Sequence, residues 1–120
     1  MKPIISSTRF GSITIEGKTY EHDIIIRLNG RVKKRKKKLS KAVYGTSHTV
    51  SLEEAEFVYE TGATGLVVGT GQYGALELSG EALEFLKIND CHVKLLSTPE
   101  AIQLWNEKKG QNIGLFHVTC

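Results

Sequence analysis

Residues 65–119 read GLVVGTGQYGALELSGEALEFLKINDCHVKLLSTPEAIQLWNEKKGQNIGLFHVT, and this stretch decides the fold. Three short apolar runs stand out: GLVVG (65–69), CHVKLLS (91–97) and IGLFHVT (113–119). GLVVG reads as a buried strand and the other two as the strands that follow it, with a helix signal between each pair. Ser79 is placed to cap a helix whose Ala82, Leu83 and Leu86 face inward. Thr98-Pro99-Glu100 is a helix start of cap, proline at the first helical position and acid in the first turn. That second helix carries Ala101, Leu104 and Trp105 inward, and Gly110 stops it. The pattern is β-α-β-α-β over residues 65–118. Because each crossover contains a helix, the three strands are predicted parallel with right-handed connections.

The residues before it read mainly as antiparallel strands. Gly17 suits a tight turn between SITI and TYEHD. Asn29-Gly30 predicts a two-residue type I′ hairpin joining DIIIRL to RVKKR. The run Ile24-Ile25-Ile26 predicts a strand covered on both faces. SKAVYG predicts a short helical turn, with Ser40 as cap and Gly45 as stop. Ser51 and Glu54 form an S-x-x-E capping box. Its helix carries Leu52, Ala55, Val58 and Tyr59 on one stripe and ends at Gly62. The expected architecture is therefore a single α/β domain over residues 1–120. It has a mixed central β-sheet, N-terminal β-hairpins followed by the parallel unit, and helices packed on the sheet. No internal repeat or linker divides the chain.

Length and composition narrow the function classes. The chain has 120 residues, enough to bury a core without staples. No apolar stretch approaches the roughly 20 residues a membrane helix needs. The first residues are too polar for a signal-peptide core, which predicts a cytosolic protein. Cys91 and Cys120 make no disulfide framework and are expected to be free thiols. The net charge of +3 hides a segregation. Residues 31–41, RVKKRKKKLSK, hold eight of the sixteen basic residues and no acid, leaving eight basic against thirteen acidic elsewhere.

The segment after the first parallel strand carries the motif with most chemical promise. Gly69, Gly71 and Gly74 keep the G-x-G-x-x-G spacing of a phosphate-cradling loop, at the strand end where ligands of parallel sheets sit. Two details oppose a dinucleotide site. The best helix cap, Ser79, comes five residues after Gly74, and the next strand ends in LLSTP without the ribose-binding acid. No G-K-[ST] follows either. A tight structural loop and a small-ligand or anion site built on Gly69, Gly71, Gln72 and Tyr73 are the readings left open. A polar loop of Thr46, Ser47 and His48 is the second candidate wall of such a site. His22, His48, His92 and His117 lack zinc spacing, and no metal or cofactor is called. The basic patch of Arg31, Lys33, Lys34, Arg35, Lys36, Lys37 and Lys38 has three readings: a nucleic-acid contact, a contact with an acidic protein face, or a solvated edge strand whose lysines block aggregation. No aromatic residue interleaves it, which disfavours base stacking and favours the edge-strand reading.

Five stretches in order resemble a known family: RFGSITIEGKTYEHDIII (9–26), YGTSH (44–48), LVVGTGQYGALE (66–77), STPEAIQLWN (97–106) and HVTC (117–120). The chain is similar to the adipogenesis-associated Mth-type domain family, a domain of unknown function. The resemblance covers essentially the whole chain and is most specific in the ending His117, Thr119 and Cys120. It implies a compact α/β domain with a mixed sheet and supplies no catalytic residues. Eukaryotic relatives include a mitochondrial complex I assembly factor, which implies protein partners. The expectation is a non-enzymatic interaction or assembly-type protein. Small-ligand binding at residues 69–74 is the alternative, and nucleic-acid binding at 31–41 the weaker one.

Overall fold

The computed structural model describes residues 2–120. The chain opens with strands β1 (Ile5–Arg9), β2 (Ser12–Ile15) and β3 (Lys18–Tyr20), which form an antiparallel sheet of their own. β4 (Ile24–Ile26) and β5 (Val32–Lys34) follow, then α1 (Lys38–Tyr44), β6 (Thr49–Val50) and α2 (Leu52–Val58). The second half runs β7 (Gly65–Thr70), β8 (Glu77–Leu78), α3 (Gly80–Ile88), β9 (His92–Leu96), α4 (Thr98–Glu107) and β10 (Asn112–His117). The main sheet has the order β5-β4-β10-β7-β9. β10 and β9 both run parallel to β7, and β4 runs antiparallel to β10. The expected mixed sheet and parallel unit are present. Only the second N-terminal hairpin joins them, because β1-β2-β3 lies apart.

The two crossovers move in opposite directions. From β7 the chain steps outward through α3 to β9, then returns past β7 through α4 to β10. Right-handed connections of opposite sense put their helices on opposite faces. Two cores result. One gathers Ile25, Leu66, Val68, Ile113 and Leu115 against α2 and α3. The other gathers Ile24, Ile26, Val67 and Phe116 against α4 and the β1-β2 strands. Successive residues of the central strands feed alternate cores, which is why Ile24, Ile25 and Ile26 are all buried.

Local chemistry departs from expectation at several points. The β4-β5 connection is a three-residue loop. Gly30 N–H donates to the Arg27 carbonyl at 2.9 Å, and Arg27 N–H to the Arg31 carbonyl at 2.9 Å. Asn29 keeps a negative φ and only Gly30 is left-handed at +87°, so this is a turn closed by a glycine bulge in place of a type I′ pair. Ser40 does not cap α1. The cap position falls on Lys37, and Ser40 is buried inside the helix. Ser51 does cap α2, accepting from Glu54 N–H at 3.1 Å. The box is nevertheless half-made, because the Glu54 carboxylate turns to Arg35 and Ser51 N–H donates to Ser40 Oγ at 2.9 Å. α2 ends at Val58, before Gly62. Leu83 is 40% exposed, so the inner face of α3 rests on Ala82 and Leu86. At α4 the cap position belongs to Ser97, and the Thr98 side chain is buried. Between Gly74 and the Ser79 cap, Glu77–Leu78 form β8, which pairs with β6.

Candidate functional site

The strand order reverses between β7 and β10, and their carboxyl ends form the crevice where open α/β sheets place ligands. Gly69 lies one residue before the end of β7, where an added Cβ would stand 2.8 Å from the Phe116 ring and 2.9 Å from Thr98 Oγ1. Gly71 follows with φ +106°, and a Cβ there would lie 2.3 Å from the Cys120 carbonyl carbon. Glycine is required at Gly71 on both counts. Its neighbour in the crevice is the chain itself. Gln72 N–H donates to the Thr119 carbonyl at 2.7 Å, and Tyr73 and Ala75 N–H both donate to the Cys120 carbonyl at 3.0 Å. Gly71 N–H donates to Thr98 Oγ1 at 2.9 Å, and that hydroxyl donates to the His117 carbonyl at 2.6 Å. The amides that would cradle a phosphate hold residues 119–120.

Beneath the loop lies a buried polar cluster. His117 Nδ1 donates to Asp23 Oδ2 at 2.7 Å, and Val118 N–H donates to Asp23 Oδ1 at 2.9 Å. Arg35 Nη1 donates to the same Asp23 Oδ2 at 2.9 Å. Its other donors reach Glu54 Oε2 at 2.6 Å, Glu54 Oε1 at 3.0 Å and the Ser47 carbonyl at 2.7 Å. Ser40 Oγ donates to Glu54 Oε1. Burial alone pushes the Asp23 carboxyl up, but hydrogen bonds from His117, Val118 and Arg35 outweigh it and hold its pKa at about 2. Burial also acts to lower the Arg35 pKa, and the Glu54 and Asp23 carboxylates raise it above the ordinary value. Among the described residues every buried side-chain nitrogen and oxygen has a partner.

These contacts place the sequence-derived candidates. His48 and His117 meet edge to face, with ring centroids 5.5 Å apart, so the 46–48 loop does approach the glycine loop. Thr46 Oγ1 accepts from His48 N–H at 3.1 Å within its own loop, and Ser47 contributes its carbonyl to Arg35. Thr119 Oγ1 sits 3.3 Å from His117 Nε2. An Asp-His pair with a hydroxyl at the far nitrogen has the order of a proton-relay triad. Here the histidine is 1% exposed, and the pair ties the residue before β4 to the end of β10. Cys120 is a half-buried free thiol. Cys91 is free and buried, and burial pushes its thiol pKa up. No three His, Cys, Asp or Glu side chains among the described residues converge to hold a metal.

The basic patch needs one correction. Arg31, Lys33, Lys34, Lys36 and Lys38 are exposed, and β5 lies at the edge of the main sheet. Lys37 is half-buried, with Nζ 3.8 Å from Asp23 Oδ2. Arg35, grouped with them, is 3% exposed and neutralises two buried carboxylates. A continuous basic run hides which member turns inward. The available signal was Asp23, an acid abutting three isoleucines, which requires a buried cation or proton. The loop tip was also only half seen. Tyr73 is 81% exposed and packs against Phe10, itself 57% exposed, with centroids 6.1 Å apart. Gln72 Nε2 donates to Thr8 Oγ1 at 3.1 Å, and Gly11 N–H donates to the Val118 carbonyl at 2.8 Å, so both aromatic residues stand on anchored loops.

Residues 5–114 match the family described as "Protein of unknown function (DUF498/DUF598)". The chain belongs to this family. The DUF498 match agrees with the Mth-type resemblance. The conserved hypothetical protein PH1505 from Pyrococcus horikoshii is 38% identical, with TM-score 0.88 and complete coverage of both chains. A structure titled MT938 is 35% identical with TM-score 0.83, over 99% of this chain and 100% of that one. A Bordetella pertussis protein, titled a Mth938-like domain, is 16% identical with TM-score 0.63, over 97% and 85% of the two chains, and shares the fold. For this DUF498 chain the family description supplies no reaction. Among its described residues no helix is long and apolar enough to cross a membrane.

Proposed function

We propose that this chain is a cytosolic, non-enzymatic interaction module that docks a partner protein on the face built by Phe10 and Tyr73. The observation that carries the reading is the exposed aromatic pair on two anchored loops. Rigid, amphipathic aromatic residues supply contact area at low entropic cost and are enriched at binding hot spots. The glycine loop then acts as a pedestal, its amides spent on residues 119–120. A benzoylphenylalanine crosslinker at position 73 is expected to give a discrete protein adduct in cells, and Phe10→Ala is expected to abolish it. Equal adducts from a crosslinker at the exposed Gln103 of α4 would overturn the reading, as would substrate turnover that vanishes in His117→Asn.

A second reading has one observation in its favour, the contact of His48 with His117 beside Gly71. It makes residues 69–74 and Thr46, Ser47 and His48 the walls of an anion or small-ligand site, and it requires the carbonyls of 119 and 120 to leave the loop. A rise in melting temperature with phosphate or nucleotide, absent from the first reading, separates the two.

A further inference from the structure

β9 borders the main sheet with no strand beyond it. His92 N–H donates to the Thr64 carbonyl at 2.9 Å, on the β7 side. Alternate residues of a ladder bond to alternate sides, so His92, Lys94 and Leu96 serve β7. The N–H and C=O groups of Val93 and Leu95 therefore point outward. The strand is open to solvent: His92, Lys94 and Leu95 are exposed, and Val93 and Leu96 half-buried.

The surface beside this edge has two unlike sides. Val93 belongs to the α2/α3 core, and Leu95, two residues on, shares its face. On that side a cavity of about 380 Å³ is lined by Leu83, Lys87, Asp90, Cys91, His92 and Val93. Leu83 and Leu95 are 40% and 42% exposed, which leaves an apolar margin. On the other side stands the exposed Lys94. Lys87 and Lys94 form none of the ion pairs among the described residues, so both ammonium groups are available to an incoming carboxylate. Self-pairing is disfavoured, because two antiparallel copies of β9 in full overlap set Lys94 opposite Lys94.

We propose that β9 accepts an extended acidic segment of another protein as an added strand. The segment's apolar side chains turn toward α3 and its cavity, and its carboxylates turn toward Lys94. Main-chain hydrogen bonds to Val93 and Leu95 supply affinity, and the alternation supplies specificity. This edge is formed by residues other than Phe10 and Tyr73, so the proposal stands or falls independently of that face.

The probe is a fluorescein-labelled heptapeptide alternating glutamate and valine, read by anisotropy and by amide chemical shifts of the full chain. Binding with shifts centred on Cys91–Leu96 is expected, weakened at least ~10-fold by Lys94→Glu. Leu95→Pro removes an outward N–H while leaving the β7 ladder intact, and is expected to weaken binding similarly. If that variant unfolds, a probe N-methylated at alternate residues carries the same test on the unaltered protein and is expected not to bind. The proposal is overturned if a lysine-valine heptapeptide binds equally well, if the shifts map away from β9, if N-methylation has no effect, or if β9 instead pairs with a second copy as concentration rises.

Discussion

Asp23 accepts from His117, Val118 N–H and Arg35 in a site closed to water, and each bond favours its charged form. Its folded pKa of about 2 lies below the ordinary carboxyl value. A depressed pKa contributes stability that is fully present above the unfolded value near 4 and is lost as pH falls toward 2. By linkage the contribution at neutral pH is about 2–3 kcal/mol. The urea midpoint is expected to fall between pH 5 and 2, and Asp23→Asn is expected to flatten that part of the profile. A profile unchanged by Asp23→Asn would show that other carboxyl groups govern the acid limb. At this scale the sequence was least informative. Ser40, Glu54 and Thr98 sit where cap residues belong, yet Ser40 and Thr98 do not cap, and all three spend their side chains on tertiary partners. Spacing cannot reveal a partner such as Asp23, which lies 94 residues from His117.

The hairpin of β4 and β5 shows what a single loop positions. Its register, Ile24 with Lys34 and Ile26 with Val32, ends the strand where Arg35 turns under the sheet. Gly30 at φ +87° sets that register. Gly30→Val is expected to cost about 1–3 kcal/mol, since a β-branched residue resists positive φ. The loss is measurable by thermal denaturation. The amide signals of Lys33–Arg35 should move with it; an unchanged melting curve would mean that the loop tolerates another turn. Elements with a long hydrophobic period were legible: β7, α3, β9, α4 and β10 follow directly from apolar runs and helix starts. β6 and β8 were not, because two-residue strands have no period to read. The glycine loop was legible as a turn at a strand end. Its filling by residues 119–120 was not, since backbone carbonyls carry no sequence signature.

At the scale of the whole molecule the main sheet serves two cores, and their coupling is testable. Trp105 and Leu86 are both 0% exposed and lie on opposite faces. Trp105→Ala is expected to cost ~3–5 kcal/mol and Leu86→Ala ~2–5 kcal/mol. Each variant should still unfold in one transition with coincident near- and far-ultraviolet curves, because β7 and β10 belong to both cores. Separate transitions would show that the faces fold independently.

The place of β10 also bears on how the protein is made. It is the last strand in sequence and lies between β4 and β7, so neither neighbour gains its main partner until residues 112–117 have left the ribosome. At roughly 5–20 residues per second, the nascent chain carries the unpaired edges of Ile24–Ile26 and Gly65–Thr70 for seconds. Insertion of β10 then satisfies both edges and brings His117 to Asp23 in one event. Synthesis order thus leaves two apolar strand edges without their central partner until β10 arrives.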